Sequence, residues 1–262
     1  MIQVLPPAVA GRFYPGSPDE LRTQVQALLG AVSTPLALIP KALVVPHAGY
    51  VYSGPVAASA YRLLRALRDR VQRVVLFGPA HRLWFRGLAF STATHVATPL
   101  GTLAVDRLAL QGLHDLPFVE EQDAPFLNEH CLEVQYPFLQ TLLPEVQVVP
   151  LLVGDAEPEQ VAQVMARLWG GDETLLLISS DLSHHHPYAQ AQAFDRATTQ
   201  AIETLTPEAI GGEQACGRIP LKGLLQEARR RGLSALTLDV RNSGDTAGSR
   251  DRVVGYGAYV FH

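Results

Sequence analysis

The sequence is poor in cysteine, in long apolar runs and in clustered basic residues. Its 262 residues include only two cysteines, Cys131 and Cys216, which are too few for a disulfide framework. No segment approaches the roughly 20 consecutive apolar residues that a membrane-spanning helix needs. The formal net charge of −4 argues against nucleic-acid binding, because phosphate recognition needs a basic surface. These absences predict a cytoplasmic protein whose partners are neither membranes nor nucleic acids.

Several common functional signatures are missing as well. Residues 1–16 lack the basic start and the continuous apolar stretch of a secretory signal peptide, in keeping with a cytoplasmic location. No phosphate-binding loop and no nucleophile elbow is present. Gly255-Tyr256-Gly257 lies in a strand pattern with no helix after it, so it does not indicate dinucleotide binding. The chemistry therefore has to come from other residues.

What the sequence does contain is an alternation of apolar strands and helical segments. Hydrophobic residues make up 47% of the chain, which is ample material for a core. The pattern predicts helices over 17–30, 55–68, 130–142, 157–169, 188–204 and 219–231. It predicts strands over 42–45, 73–77, 146–154, 174–179, 235–240 and 253–261, short strands within 86–105 and a helix from about 106. This alternation predicts one α/β domain over residues 1–262, with a mainly parallel or mixed central sheet and helices on both faces.

The first helix carries a capping signature. Ser17 stands at the N-cap position, Pro18 follows in the first turn, and Glu20 lies three residues after the serine. A connector over 33–40 is expected between this helix and the first strand. The signature predicts a helix that begins with a side-chain cap.

Three histidines, His47, His81 and His184, follow closely after buried strands. In an open parallel sheet the strand ends border the crevice where ligands bind, so three imidazoles from three such ends would meet in one place. The pattern predicts a metal site there. A lone histidine of this kind can also cap a helix or pack in the core, and that alternative remains open for His47 in particular.

The run His184-His185-His186 cannot direct three adjacent side chains to one point, so we expect His184, nearest the strand end, to take part. Asp181 lies three residues earlier and is placed to orient an imidazole through its second nitrogen. The alternative is that Asp181 is a helix N-cap residue. Both roles are compatible with the sequence.

Two further segments carry chemistry-bearing side chains. Glu129 and His130 stand side by side at an expected helix start, where only one of two adjacent residues faces a crevice. Acidic residues at a helix start also simply suit its dipole. Cys216 is followed by glycine and a helix, which favours an exposed thiol of lowered pKa, although a free cysteine is by default a small buried apolar residue. We expect Cys131 to be a small buried residue of this kind, with a packing role.

Eight segments together resemble the Memo family, in its branch called AmmeMemoRadiSam system protein B. The resemblance spans nearly the whole chain, with Phe13 standing where the family often has tryptophan. The segments are AGRFYPG (10–16), PHAGYVYSGPVA (46–57), GPAHR (78–82), NEHCLEVQYPFL (128–139), PLLVG (150–154), SSDLSHHHPY (179–188), ACGRIP (215–220) and VVGYGAY (253–259).

The resemblance implies a fold similar to the class III extradiol ring-cleaving dioxygenases, the LigB-like group, which hold iron with two histidines and a carboxylate. In Memo proteins a cysteine takes the carboxylate position. Carried over, His47, His81 and Cys216 would be the metal ligands, and His184 would be the catalytic acid/base with Asp181 beside it. The expected cofactor is iron or copper, with zinc less favoured. Thiolate in place of carboxylate shifts the preference from hard Fe(II) towards softer ions such as copper or zinc.

Three functions are compatible with these observations. The first is a metal-dependent redox or dioxygenase-like enzyme acting on a small substrate such as a phenol. The second is a non-catalytic binding or adaptor protein, which works with an AMMECR1-like protein and a radical SAM enzyme or binds a peptide with a phosphotyrosine-like group. The third is zinc-dependent hydrolysis, for which only Glu129 offers a general base. Glu129 and His130 are otherwise expected to support the metal ligands.

Overall fold

The computed structural model describes residues 3–33 and 38–262. The expected connector over 33–40 therefore lies partly outside the described residues. Strands and helices alternate along the chain in a mixed α/β arrangement. The described strands are β1 Val4–Leu5, β2 Ala42–Val45, β3 Arg73–Pro79, β4 Leu88–Phe90, β5 His95–Thr98, β6 Gly101–Ala104, β7 Val119–Glu121, β8 Gln147–Val153, β9 Thr174–Ser179, β10 His184–His186, β11 Ala235–Asn242 and β12 Val253–Phe261.

The central sheet is parallel in its middle and antiparallel near its edges. Its strands follow the order β10-β12-β2-β9-β3-β8-β4-β7, and β11 pairs with β12. Strands β2, β9, β3 and β8 are parallel, whereas β12 runs antiparallel to β2 and β4 runs antiparallel to β8. A separate sheet of β1, β5 and β6 lies beside it. The prediction of a mixed sheet is confirmed.

Helices cover both faces of the central sheet. Every residue of β2 and β9 is buried, and successive strand residues point to opposite faces, so both faces must be covered. The described helices are α1 Pro18–Gly30, α2 Tyr50–Tyr61, α3 Arg107–Gln111, α4 Tyr136–Leu142, α5 Pro158–Leu168, α6 Tyr188–Glu203 and α7 Arg218–Arg231. Helices α1 and α2 pack together, α2 contacts β2, and α7 contacts β3 and β9. Short 3₁₀ helices span Arg62–Leu67, Ala124–Phe126, Glu133–Gln135, Pro207–Ala209 and Ser243–Asp245.

The predicted strands and most predicted helices are present, but α2 begins earlier than expected. The sequence Ser53-Gly54-Pro55 is typical of a turn, and it indicated a helix only from 55 onwards. In the structure the helix begins at Tyr50 and contains Pro55. A Cβ on Gly54 would lie 2.8 Å from Cδ1 of Leu28, so the small side chain lets α2 lie against α1. This packing outweighs the local turn preference.

Two other expectations were wrong in detail. Ser17 precedes α1 in an extended conformation, but its side chain makes no capping hydrogen bond. Residues 130–132 are not helical, because a turn and a 3₁₀ segment precede α4. The short strand β10, formed by the histidine run, was not predicted. It is recognisable only through its antiparallel pairing with β12.

Candidate metal centre

His47 lies just beyond the carboxyl end of β2 and is almost completely buried, with 2% of its surface exposed. Its Nδ1 lies 2.9 Å from Oγ of Ser179, the last residue of the neighbouring strand β9. Its Nε2 lies 3.2 Å from Sγ of Cys216. Burial, reinforced by the charges of His81 and His130, holds the pKa of His47 well below its usual value. The imidazole is therefore neutral and offers one nitrogen to the site.

His81 follows the carboxyl end of β3 and keeps 28% of its side chain exposed. Its Nδ1 lies 3.0 Å from Oε1 of Glu129, and its backbone N–H donates to Oε2 of the same carboxylate at 2.6 Å. Burial alone would raise the pKa of Glu129, but the hydrogen-bonding contacts of His130 and His81 hold it well below its usual value. An ionised carboxylate thus fixes the His81 ring from one side.

Cys216 enters the site from the loop that precedes α7. Its Sγ accepts the backbone N–H of Asp181 at 3.2 Å. The loop lies so close to the sheet that a Cβ on Gly217 would come within 2.7 Å of Cβ of Ser180. The expectation of a lowered thiol pKa was wrong for the metal-free protein, because burial and the Asp181 carboxylate raise the pKa of Cys216 to about 12.

His47, His81 and Cys216 form one group. Each offers a ligand atom, and the three atoms lie within 4.8 Å of one another. The sheet order β2-β9-β3 explains this, because it places the ends of the two histidine-bearing strands on either side of β9. Since parallel strands present their carboxyl ends at the same edge, the two histidines meet there. The loop before α7 adds Cys216, which is 135 positions beyond His81 in the chain.

Glu129 and His130 both lie at this group, contrary to the expectation that only one would. The segment is not helical, and Asn128 adopts a left-handed conformation with φ of 64°. The His130 ring stacks on His81 at 4.8 Å between centroids and meets the His47 ring edge-on at 5.5 Å. His81, Glu129 and His130 accordingly form a second group whose ligand atoms lie within 4.8 Å of one another.

Asp181 and His184 lie close to each other, but not in the arrangement expected from the sequence. Oδ1 of Asp181 accepts the backbone N–H of His47 at 2.8 Å, and within the described residues no hydrogen bond joins Asp181 to His184. Asp181 also precedes a strand, β10, and not a helix, so it is not an N-cap residue. Burial lowers the pKa of His184, and the charge of Asp181 opposes this effect. The carboxylate positions the chain at His47.

A sequence model described as "Memo-like protein" matches residues 6–260. The chain belongs to the Memo family. MEMO1 family proteins of Aquifex aeolicus and Methanosarcina barkeri are 32% and 34% identical, over 99% and 97% of this chain and 100% and 98% of theirs. The crystal structure of the uncharacterized protein JW3007 from Escherichia coli K12 matches with a TM-score of 0.49 and 15% identity, covering 84% of this chain and 99% of that one.

For this Memo protein, the similarity to ring-cleaving dioxygenases stays a prediction. Among the helices that the structure describes, none has both the length and the apolar character needed to cross a membrane.

Cys131 is completely buried, and its Sγ donates to the backbone oxygen of Pro79 at 3.2 Å, which fits the packing role expected for it.

Three residues near His47, namely Ser179, Gln135 and Tyr61, were not expected from the sequence. Ser179 contacts Nδ1 of His47, and Gln135 and Tyr61 are linked to Ser179 through hydrogen bonds. Gln135 donates to Oγ of Ser179, and Tyr61 donates to Gln135. Only Ser179 left a signal, since it is a polar residue at the end of an otherwise apolar strand. Gln135 ends the 3₁₀ segment before α4 and Tyr61 ends α2, so only the folding of these distant segments brings them together with Ser179.

Proposed function

We propose that this protein is a metal-dependent oxidoreductase that holds iron or copper with His47, His81 and Cys216 and acts on a small substrate such as a phenol. The observation that carries the proposal is the convergence of these three ligand atoms within 4.8 Å. The Nδ1 atoms of both histidines are engaged by Ser179 and Glu129, which leaves the Nε2 atoms for a metal.

The donor set fits a redox metal. Two imidazoles and one thiolate are soft enough for copper and are also found around iron, and three protein ligands leave positions open for other molecules. A bound iron or copper ion would supply the site for oxygen or substrate binding and for electron transfer. Cys216 has to lose its proton to act as a ligand, so metal binding would be accompanied by proton release.

The surroundings support a small aromatic substrate. A cavity of about 380 Å³ opens beside Cys216, and Leu83, Trp84 and Arg218 contribute to its lining. Trp84 is 70% exposed, so a large aromatic surface is available there for stacking. We assign His184 the role of proton donor and acceptor for the substrate, with Asp181 supporting the chain at His47.

Zinc-dependent hydrolysis is less well supported. It would need a free carboxylate as general base, and Glu129 is the candidate that the sequence offered. Its Oε1 already accepts the backbone N–H groups of His130 and Cys131, and its Oε2 accepts that of His81. A carboxylate so fully engaged is a support for the site and a poor base for water.

Metal analysis of anaerobically purified protein tests the proposal. We expect about one equivalent of iron or copper, which His47→Ala and Cys216→Ser lose. The loaded protein should then consume oxygen with a phenolic substrate, and His184→Ala should abolish that turnover while retaining the metal. Failure of the purified protein to hold or take up Fe(II) or Cu(I) would contradict the proposal. It would favour the binding-protein alternative, with an AMMECR1-like protein and a radical SAM enzyme as the partners to examine.

A further inference from the structure

The orientation of the Gln135 side chain is determined by its neighbours. Its Nε2 lies 3.0 Å from the backbone oxygen of Pro46, which can only accept a hydrogen bond. The amide nitrogen must therefore face Pro46, and the amide oxygen accepts the hydroxyl of Tyr61 at 2.7 Å. The second N–H of the same amide donates to Oγ of Ser179 at 2.9 Å. Gln135 is thus a fixed donor to Ser179.

The single hydrogen of the Ser179 hydroxyl is also committed. Oγ lies 2.6 Å from the backbone oxygen of Cys131, so the hydroxyl hydrogen must point there. One of the two lone pairs of Oγ accepts from Gln135, and only the second lone pair is left for His47. Ser179 can therefore only accept a hydrogen bond from the imidazole.

The hydrogen bonds of Ser179 determine the tautomer of His47. Its Nδ1 lies 2.9 Å from Oγ of Ser179 and must carry the hydrogen. In a neutral imidazole Nε2 then carries the lone pair, and Nε2 is the atom that lies 3.2 Å from Sγ of Cys216. We infer that Ser179, held by Gln135, is a positioning residue that keeps His47 in the Nδ1–H tautomer and so presents Nε2 as a metal ligand. Only the consequence for metal binding rests on the proposed function; the tautomer follows from the hydrogen bonds themselves.

The two histidines of the site are held by different means. His81 donates to the ionised carboxylate of Glu129, whereas His47 donates to an uncharged hydroxyl whose own hydrogen is used elsewhere. His47, Ser179 and Gln135 are each at most 2% exposed, and an additional carboxylate there would be costly to bury. A neutral network achieves the same orientation without that cost.

Nitrogen-15 NMR of the metal-free protein tests the tautomer directly. The His47 resonances, assigned by comparison with His47→Gln, should show a protonated Nδ1 and an unprotonated Nε2. A protonated Nε2 in the unmodified protein would overturn the inference. In Ser179→Ala the loss of the acceptor should shift His47 towards the Nε2–H tautomer, and Ser179→Thr, which keeps the hydroxyl, should restore the original pattern.

Zn²⁺, used as a redox-silent probe, tests the consequence for metal binding. We expect Ser179→Ala to weaken Zn²⁺ binding by roughly 10–100-fold, the range typical when a residue that orients a ligand is removed. Thr98→Ala is a matched control, because the hydroxyl of Thr98 also bonds a glutamine and a backbone group but lies away from the site. An equal effect in both variants would mean a general loss of stability and would contradict the specific role of Ser179.

The inference and the proposed function fail separately. If the unmodified protein binds no metal, the proposed function fails, and the NMR measurement still decides the role of Ser179. If the protein binds metal but His47 carries its hydrogen on Nε2 in the metal-free state, only the inference about Ser179 fails.

Discussion

Glu129 holds His81 at two points, through the ring Nδ1 at 3.0 Å and through the backbone N–H at 2.6 Å. One carboxylate thereby fixes both the tautomer of the ring and the position of its chain. The same Oε1 accepts the backbone N–H groups of His130 and Cys131. The loop after β3 and the segment before α4 are thus joined through a single side chain.

Replacing Glu129 by glutamine should weaken the site. An amide would place an N–H group against one of the backbone or ring donors, so the His81 ring would lose its fixed orientation. We expect the affinity for Zn²⁺ or iron to fall by about 10–100-fold. Isothermal titration of Glu129→Gln measures the change. Glu227→Gln is the control, because Glu227 is likewise buried but pairs with Arg230 and Arg231 on α7, and an equal loss of affinity there would contradict the prediction.

Gly217 should be required for the position of Cys216. Alanine at this position would bring Cβ within 2.7 Å of the Ser180 side chain, and the loop carrying Cys216 would have to move away from the sheet. We expect Gly217→Ala to lose at least about tenfold in metal affinity, since displacing a ligand costs as much as losing its support. Gly212→Ala is the matched control, because a Cβ there meets nothing within 4 Å. Equal metal affinity in the two variants would refute the argument.

Glu133 anchors the N-terminal segment next to the site. Its carboxylate accepts the backbone N–H groups of Ala8 and Val9 and the hydroxyl of Tyr14. Glutamine at this position would turn one acceptor into a donor facing another donor, at a cost of about 1–3 kcal/mol in the free energy of unfolding. Urea unfolding of Glu133→Gln measures the loss, and hydrogen exchange should rise selectively at residues 8 and 9. Unchanged exchange at these residues would count against the anchoring role.

The two cysteines should respond differently to substitution. Cys216 offers its Sγ to the candidate metal, whereas the Sγ of Cys131 donates to the backbone oxygen of Pro79. We expect Cys131→Ala to keep about one equivalent of metal with some loss of stability, and Cys216→Ala to lose the metal with its fold intact. Elemental analysis together with circular dichroism distinguishes these outcomes. Loss of metal from Cys131→Ala in a folded protein would mean that Cys131 is part of the site.

The fold class and the main elements can be predicted from the sequence alone. The runs at 42–45 and 174–179 are apolar without alternation, and this pattern requires a strand covered on both faces. The polar residues His47 and Asp181, just beyond these runs, indicated where ligands bind, because the carboxyl ends of parallel strands border the ligand crevice. Local chemistry was sufficient for these conclusions.

Which atoms face each other depends on the packing of distant segments and could not be predicted from the sequence. The role of Asp181 at the backbone of His47, the joint presence of Glu129 and His130, and the raised pKa of Cys216 all depend on the order β2-β9-β3 and on burial. The tautomer of His47 depends on hydrogen bonds among residues more than 40 positions apart in the chain. Hydrogen-bond direction and desolvation are properties of the packed state, and no local pattern in the sequence encodes them.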